Sequence, residues 1–299
     1  MRKKVLLLRN LSSPIGDDVA AAPRFFSRAA RGRVDLYETA FENLVIKVGD
    51  GEFSIFDTKN KKDLKEFRII IIRGTVNFDA VCDVALAVGY YGRKHRIRVM
   101  NDVEYDTLSK LAQAVRFQAL NIPVAKSIWL SEAVLRDEKV CSSLGFPCIM
   151  KATLSSLGKF NYKVNSYKEI LKRQKENPGK HFVLQRMVGG MGDYRLLMVG
   201  KEKLLISYPV NDHKTYEQSA TNGDGAEVVP LSVLPSRAIK DAEKIAKYMR
   251  MSIGGVDILT DKDTGEYHFL EINAQPNLSN LDDPVKAKIA TFGEFFATA

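Results

Sequence analysis

Apolar runs of strand length and amphipathic stretches of helix length follow one another over the first hundred residues. The run at 5–10 precedes a polar turn and an Ala-rich amphipathic stretch at 18–30, which predicts a strand and then a helix. Two alternating segments flank Gly49–Gly51 and predict a β-hairpin, because glycine permits the positive φ of a tight turn. The apolar run at 68–74 is typical of a strand buried on both faces of a parallel sheet. A helix at 78–89 and a strand at 97–102 complete this predicted α/β unit.

Beyond residue 105 the pattern predicts a longer helix and then alternating strands and helices. The helix covers 105–120. Its predicted apolar face consists of Leu108, Leu111, Ala112, Val115 and Ala119. A polar stretch at 211–230 is long for a loop inside a compact domain, and such loops are usually functional or disordered. The other predicted elements are strands at 146–153, 160–165, 181–188, 193–200, 203–210, 254–262 and 266–273, and helices at 166–176, 236–249 and 285–296.

The composition excludes several classes of protein. Of the 299 residues 45% are hydrophobic, which is enough for a sizeable core and excludes a disordered chain. No apolar run approaches the ~20 residues that cross a bilayer, so we expect a soluble, cytoplasmic protein with no membrane partner. Three widely spaced cysteines predict reduced thiols and no zinc site. The net charge of +9 is compatible with nucleic acid, an acidic partner or a phosphate-bearing ligand.

The segment 255–277 carries the strongest chemical signal. Strand alternation places Asp257 on the opposite face from Val256 and Ile258. On the next strand, alternation predicts one face made of Tyr267, Phe269, Glu271 and Asn273. A three-residue loop about Thr264, with Gly265 in the left-handed conformation, places Asp257 directly opposite Glu271.

Two carboxylates in this position would repel each other. A divalent cation between them removes the repulsion, and Asn273 adds a neutral oxygen two residues further along. An all-oxygen site with few protein ligands suits Mg²⁺ or Mn²⁺. The alternative is an ordinary exposed hairpin face that carries two acids. The sequence AQPN after Asn273 indicates a shaped loop and favours the metal site.

GVDIL at 255–259 and LEINAQPNLSN at 270–280 resemble the metal-binding end of the ATP-grasp fold, in the pattern of the RimK-like amino-acid ligases. The resemblance extends from about Asp102 to the C-terminus. It implies an α/β plus α+β protein, in which an N-terminal Rossmann-like α/β domain precedes two α+β lobes that grip ATP. The implied boundaries are 1–101, then 102–184 for the central lobe and 185–299 for the C-terminal lobe with the metal site.

The same resemblance implies the residues that contact ATP. Lys110 and Lys151 match the two lysines that touch the phosphates, although each taken alone is more typical of a solvated surface charge. Ser156 and Gly158 lie in a segment that matches the family's flexible phosphate-binding loop, and taken alone that segment is a hairpin loop.

Residues 182–200 match the segment that crosses between the lobes and holds adenine. The main chain of Gln185, Arg186 and Met187 falls where the base is bound. Asp193 and Arg195 share one strand face, so a carboxylate and a guanidinium can both point into one cleft. The role that the resemblance implies for Arg195 is to stabilise charge on the transferred group. The alternative is an ion pair on an exposed strand.

Several residues depart from the family pattern. A glutamate is usual at the position of Arg186, and an arginine at the position of Pro209. An arginine and an asparagine are usual in the loop where Glu217, Gln218 and Ser219 fall. His213 and Lys214 lie in the same loop and offer a replacement cation.

We therefore expect an ATP-dependent carboxylate–amine ligase that uses ATP, a carboxylate substrate and an amine acceptor such as an amino acid or peptide. The resemblance implies two magnesium ions, an acyl-phosphate intermediate, and release of ADP and phosphate. The alternative is a nucleotide-binding protein of this fold that has lost ligation and has a regulatory or assembly role. The sequence is compatible with a homo-oligomer and does not define its size. Nucleic acid is disfavoured as a partner, because basic and acidic residues are interleaved and no stacking-aromatic motif is present.

Overall fold

The computed structural model describes residues 2–11, 16–74, 81–102, 109–155, 160–208, 225–261, 264–278 and 284–299, with the backbone alone described at 16–18 and 190–192. None of the helices in these ranges is long and apolar enough to cross a membrane.

The first unit is an α/β layer with a small second sheet. Its elements are β1 (Lys4–Arg9), α1 (Gly16–Ala30), β2 (Asp35–Ala40), β3 (Leu44–Gly49), β4 (Glu52–Asp57), β5 (Lys62–Asp63), β6 (Ile69–Arg73), α2 (Val81–His95) and β7 (Arg98–Met100). The main sheet is parallel in the order β2-β1-β6-β7, and β3-β4-β5 form an antiparallel sheet. All five residues of β6 are buried, as the apolar run predicted. Alternate residues of β1 enter two different cores on the two faces of the sheet, which explains why the four residues between Lys4 and Arg9 are all apolar.

Helix α2 continues beyond the predicted end at Gly89. An added Cβ at Gly89 would lie 2.5 Å from a carboxylate oxygen of Asp102, and one at Gly92 would overlap a methyl carbon of Val99. These glycines therefore serve close packing of the helix against β7 and the chain beyond it, and they do not end the helix.

The second unit contains a four-stranded antiparallel sheet. Its elements are α3 (Lys110–Ala119), β8 (Ser127–Trp129), α4 (Glu132–Leu135), α5 (Glu138–Ser142), β9 (Cys148–Ala152), β10 (Asn161–Val164), α6 (Tyr167–Glu176) and β11 (Phe182–Arg186). The strand order is β10-β9-β11-β8. One face packs into a core with Cys148, Met150, Phe182 and Leu184. Alternation therefore puts Lys151 and Gln185 on the other face.

The third unit is a five-stranded antiparallel sheet. Its elements are β12 (Gly190–Val199), β13 (Glu202–Tyr208), β14 (Glu227–Val229), α7 (Ser236–Tyr248), β15 (Ile253–Asp261), β16 (Tyr267–Asn273) and α8 (Pro284–Thr298). The strand order is β14-β13-β12-β15-β16. Helices α3 and α7 cover one face, where Leu196, Val256 and Phe269 belong to one buried cluster with residues of both helices. The opposite face carries the charged residues described below.

The buried face of α3 differs from the predicted apolar face. Gln113 and Phe117 are the buried residues of this helix, whereas Val115 is 60% exposed. The amide of Gln113 accepts from the main-chain N–H of Ile272 at 2.8 Å and donates to its carbonyl at 3.4 Å. A polar residue outside the predicted apolar face is therefore buried, because it satisfies main-chain groups of β16.

Helices α1 and α8 join the two ends of the described chain in one core. Phe292 packs edge-on against Phe25 and Phe26, with ring centroids 5.4 Å and 5.2 Å apart. The same cluster contains Leu197 and Val199 of β12. The first unit is thus packed directly against the five-stranded sheet.

Candidate active site

The β15–β16 hairpin brings Asp257 directly opposite Glu271, as the sequence predicted. The loop is longer than predicted, because the main chains of Asp261 and Glu266 pair across it at 2.7 Å. Gly265 has the predicted left-handed conformation, with φ of 69°. A register shift follows Asp257, so that Ile258 pairs with Phe269 and Leu270 is the extra residue. This bulge offsets the longer loop and restores the pairing of the two acids.

The bulge also reverses the faces of β16. Tyr267 and Phe269 lie in the buried core together with Ile272, on the face opposite to Glu271 and Asn273. The prediction that all four alternate residues share one face was therefore wrong. Strict alternation holds only on each side of the extra residue.

Arg195 on β12 and Asp257 on β15 form a bidentate ion pair. The Nε of Arg195 donates to Oδ1 of Asp257 at 2.6 Å, and its Nη2 donates to Oδ2 at 2.8 Å. The two residues are direct neighbours in the sheet register. Burial raises the pKa of the Asp257 carboxyl even though Arg195 opposes this, while Asp257 holds the pKa of Arg195 above its ordinary value despite burial.

Glu271 is held ionised by cations and an amide. Burial acts to raise its pKa, but Lys110, Asn273 and Arg195 together outweigh burial and lower it. The Nζ of Lys110 lies 3.6 Å from Oε2 of Glu271, and the amide of Asn273 donates to Oε1 at 3.0 Å. The same amide reaches Oδ2 of Asp257 at 3.4 Å. The three predicted metal ligands are therefore adjacent, with one predicted phosphate lysine beside them.

Lys151 reaches the same cleft from the central sheet. Its Nζ donates to Oε1 of Gln185 at 2.8 Å, and the amide nitrogen of Gln185 donates to the hydroxyl of Ser127 at 3.3 Å. Burial lowers the pKa of Lys151, and Glu271 is the largest influence that opposes this. Lys110 is fixed in turn by the carbonyl of Ser155 at 2.7 Å. The two lysines thus face the two acids across the space between the sheets.

Asp193 is a third acid on this surface. It precedes Arg195 by two residues and shares its strand face, as predicted. Burial, followed by the nearby Asp257, raises the pKa of Asp193 to about 7. Tyr208 lies directly opposite Asp193 on β13, and burial raises the pKa of its phenol. The guanidinium of Arg195 lies 5.8 Å from the centre of that ring.

Gln185 and Arg186, whose main chain is predicted to hold the base, point their side chains to opposite faces of the central sheet. Arg186 is exposed, and its register partner Cys148 belongs to the face of the central sheet that is turned away from Lys151. Its side chain is therefore not on the cleft face with Gln185. Met187 follows directly at the end of β11. Ser156 and Gly158 lie outside the described residues, as do His213 and Lys214 and the departures at Pro209, Glu217, Gln218 and Ser219.

Sequence reasoning missed how the first unit holds the loop after Asn273. Arg73 is fully buried at the carboxyl end of β6 and donates to the carbonyl of Pro276 at 3.1 Å. The N–H of Gly74 donates to the side chain of Gln275 at 3.2 Å, and Asn101 donates to the carbonyl of Ala274. The sequence signal for this contact was the position of Arg73 and Asn101 at the carboxyl ends of two parallel strands. Polar residues in such positions of a parallel sheet lie together at one edge.

The donor set of this site fits a magnesium ion. Two carboxylates from adjacent strands and one amide oxygen match the ligands that Mg²⁺ takes from proteins when phosphates supply the rest. Both oxygens of Asp257 accept from Arg195, and Oδ2 also accepts from the amide nitrogen of Asn273, so that Oδ1 retains a second lone pair. Asn273 would present its oxygen to a metal after its amide turns over. Among the described residues there is no cluster of three or more His, Cys, Asp or Glu side chains arranged for a metal. The site therefore suits a metal that is shared with a phosphate-bearing ligand.

Comparison with curated proteins finds distant relatives of much greater length. Acetyl-CoA carboxylase 2 of Oryza sativa subsp. japonica is 26% identical over 163 residues, which cover 50% of this chain and 7% of that enzyme. Acetyl-CoA carboxylase 1 of Arabidopsis thaliana is 24% identical over 185 residues, which cover 56% of this chain and 8% of the relative. The match thus spans less than a tenth of each curated relative.

Comparison with solved structures finds similar folds over the whole chain. The ATP-grasp ligase PsnB, complexed with a minimal precursor, aligns with a TM-score of 0.70 at 16% identity, over 100% of this chain and 99% of that one. The macrocyclase MdnC of Microcystis aeruginosa, bound with the precursor peptide MdnA, gives 0.65 at 14% identity, over 99% and 100%. D-alanyl-alanine synthetase A of Vibrio cholerae gives 0.66 at 13% identity, over 99% and 98%. These likenesses confirm the predicted ATP-grasp fold.

The family itself is shown by sequence. The RimK-like ATP-grasp domain matches residues 110–292, which is more than half of the chain and includes both lysines and the acidic hairpin. The protein belongs to the RimK-like ATP-grasp family, as the resemblance of its hairpin motif predicted.

Proposed function

We propose that this protein is an ATP-dependent ligase that joins a carboxylate to an amine. The observation that carries the proposal is the convergence of Lys110, Lys151 and Arg195 with Asp257 and Glu271 in one buried cleft of an ATP-grasp fold. Three cations beside two acids suit a triphosphate and a divalent metal. No nucleophilic side chain is needed, because the substrate carboxylate attacks the γ-phosphorus itself.

The two steps use these side chains for binding and charge stabilisation. A carboxylate oxygen of the substrate attacks the γ-phosphorus of ATP, and the bond to the β,γ-bridging oxygen breaks to release ADP. The amine then attacks the acyl carbon, phosphate leaves, and the amine loses a proton. Lys110 and Lys151 are assigned to the phosphates. Arg195 is assigned to the charge on the transferred phosphoryl group, and its bond to Asp257 keeps the guanidinium oriented.

Asp257, Glu271 and Asn273 are assigned to the metal. When bound, Mg²⁺ or Mn²⁺ would neutralise phosphate charge, and the count of two ions remains a prediction from the family resemblance. Gln185, Arg186 and Met187 are assigned to the base through their main chain, Asp193 to the nucleotide, and Ser156 and Gly158 to the phosphates. The three units are proposed as domains with boundaries at 101/102 and 184/185.

The carboxylate and amine are proposed to belong to amino acids or peptides. Two proteins of the same fold were solved with precursor peptides, and a third is a D-alanyl-alanine synthetase. The carboxyl edge of the first unit forms the cleft wall beside Asn273, through Arg73, Gly74 and Asn101. This wall, together with the segment at 211–230, is where substrate selection is proposed to lie.

The test is release of ADP in the presence of Mg²⁺ with panels of amino acids and acidic peptides, followed by mass spectrometry of the amide product. We expect turnover that requires both a carboxylate and an amine. Glu271→Gln should lower the rate by about 100-fold or more, because it removes a charge from the metal site. Glu266→Gln is the matched control on the same hairpin, since Glu266 is exposed at the distant turn.

Binding of ATP and Mg²⁺ without ADP release for any pair of substrates would contradict the ligase. It would instead favour the second candidate, a nucleotide-binding protein of this fold that has lost ligation. The observation that favours this candidate is the set of departures at Pro209, Glu217 and Ser219. For a pure binder, Asp257→Ala and Glu271→Ala would weaken nucleotide affinity and change no chemical product.

A further inference from the structure

A groove of about 690 Å³ opens on the first unit, between the end of α1 and the outer edge of β2. The helix side includes Arg28 and Arg31, and the strand side includes Val34, Leu36 and Tyr37. These strand residues lie at the amino end of the parallel sheet, whereas the cleft meets the carboxyl ends of its strands. The groove is therefore separate from the candidate active site.

Arg28 and Arg31 line the groove, and Arg24 lies one helical turn before Arg28 on α1. Arg24, Arg28 and Arg31 follow one another at helical spacing, so they share one side of α1 and its end, and all three are exposed. None of the ion pairs among the described residues involves these three arginines, whereas the nearby Arg33 lies 3.9 Å from Glu294. The lining contains one acid, Asp35, and no ion pair among the described residues joins it to Arg28 or Arg31, so the arginines leave the groove with an excess of positive charge.

The strand side of the groove presents main-chain groups. The N–H of Asp35 donates to the carbonyl of Lys3 at 3.0 Å, towards β1. Because main-chain groups alternate along a strand, the N–H and C=O of Leu36 point to the open side of β2. Strand β2 is the edge of its sheet. The amide of Asn60 donates to the carbonyl of Glu38 from this same side at 3.1 Å, and so ends the open stretch.

We propose that this groove binds an acidic peptide segment in extended conformation, which adds as a strand beside Leu36 and sets its carboxylates against Arg24, Arg28 and Arg31. The arginines are complementary to the carboxylates of an acidic ligand. The open strand edge can hydrogen-bond to a peptide backbone, which a nucleic acid lacks. Arg24 and Arg31 are about 10 Å apart along the helix, and alternate strand residues are about 7 Å apart. Two acids at alternate positions of the peptide therefore fit within the length of the row of arginines. This site goes beyond the proposed ligase activity and does not depend on it.

The experiment measures fluorescence anisotropy of a labelled peptide of alternating glutamate and valine with the full chain, in the absence of ATP. We expect binding that weakens with salt. The double variant Arg28→Glu, Arg31→Glu should bind at least about tenfold more weakly, because both charges change sign. The double variant Lys139→Glu, Lys175→Glu makes the same change of charge at exposed positions of the central unit and should bind like the wild type.

Strand addition is tested on the unaltered protein with N-methylated peptides. Methyl groups on one set of alternate nitrogens should abolish binding, and methyl groups on the other set should be tolerated, because only one set faces Leu36. Equal binding of both sets would overturn the proposal. Wild-type affinity of the Arg28, Arg31 double variant would also overturn it, as would arginine-dependent binding of a single-stranded oligonucleotide without binding of the peptide. None of these outcomes bears on ADP release, so the proposed ligase stands or falls separately.

Discussion

The buried carboxyl of Asp193 should make the protein less stable as the pH rises from about 4 to 7. Burial and the neighbouring Asp257 raise its pKa from an ordinary 3.8 to about 7. In the unfolded chain the same group loses its proton near pH 4. Between these values the unfolded state is ionised while the native state remains protonated, so the native state loses stability with each step in pH.

The size of the effect follows from the interval between the two pKa values. An interval of about three pH units, at about 1.4 kcal/mol for each, corresponds to about 4 kcal/mol. That is a large fraction of the ~5–15 kcal/mol that stabilises a typical domain. Asp193→Asn keeps the shape of the side chain and cannot ionise. The stability gained by this substitution should therefore be near zero at pH 4 and rise to about 4 kcal/mol at pH 7 and above.

The assay is urea denaturation of both proteins at a series of pH values between 4 and 8, with EDTA and without nucleotide. Titrating groups far from Asp193 are common to both proteins, so they cancel in the difference. Glu227→Gln provides a control at an exposed position. A difference between wild type and Asp193→Asn that stays constant from pH 4 to 8 would refute the reasoning, since it would show that the carboxyl titrates alike in both states.

Three further predictions test individual contacts. Lys151→Gln should raise the KM for ATP at least about tenfold, because a buried charged hydrogen-bond donor is lost, whereas Lys163→Gln at an exposed position of the neighbouring strand should leave KM unchanged. Gln113→Leu should lower the free energy of unfolding by about 1–3 kcal/mol, measured by urea denaturation, because two main-chain groups of β16 lose their partner. Gly200→Ala should destabilise the protein more than Gly265→Ala, because an added Cβ lies 2.9 Å from a ring of α8 at Gly200 and meets nothing within 4 Å at Gly265.

Each of these predictions has a clear contrary result. Equal KM values for the two lysine variants would remove Lys151 from the nucleotide site. An unchanged unfolding midpoint for Gln113→Leu would show that water replaces the amide. Both glycines have positive φ, so alanine at either should cost about 1 kcal/mol in backbone strain. Equal losses at Gly200 and Gly265 would show that the ring of α8 moves aside at no cost.

The acidic pair was predictable because it depends on short-range rules. Asp257 and Glu271 are joined by a short hairpin, and a glycine at 265 marks the turn. The loop was one residue longer than predicted, and the bulge at Leu270 offset it. No residue pattern distinguishes that bulge from regular alternation, and for this reason the faces of Tyr267 and Phe269 were predicted wrongly.

The remaining differences come from tertiary contacts. Val115 belongs to a regular apolar pattern and is nevertheless exposed, because the helix turns Gln113 and Phe117 towards β16 instead. Gly89 resembles a helix end but lies where Asp102 approaches the helix. Such contacts join distant parts of the chain, and the period of a single segment carries no information about them.

The core shared by α1 and α8 has a consequence for synthesis of the chain. Phe26 is made about 266 residues before Phe292, its edge-on partner. At a translation rate of ~5–20 residues per second, the apolar face of α1 therefore stays exposed for ~13–53 seconds before α8 is synthesised. During that time the first sheet emerges with one side unprotected, open to chaperones or to other nascent chains. Its completed structure depends on a helix that is translated much later, so we expect folding of the first unit to finish only after α8 has left the ribosome.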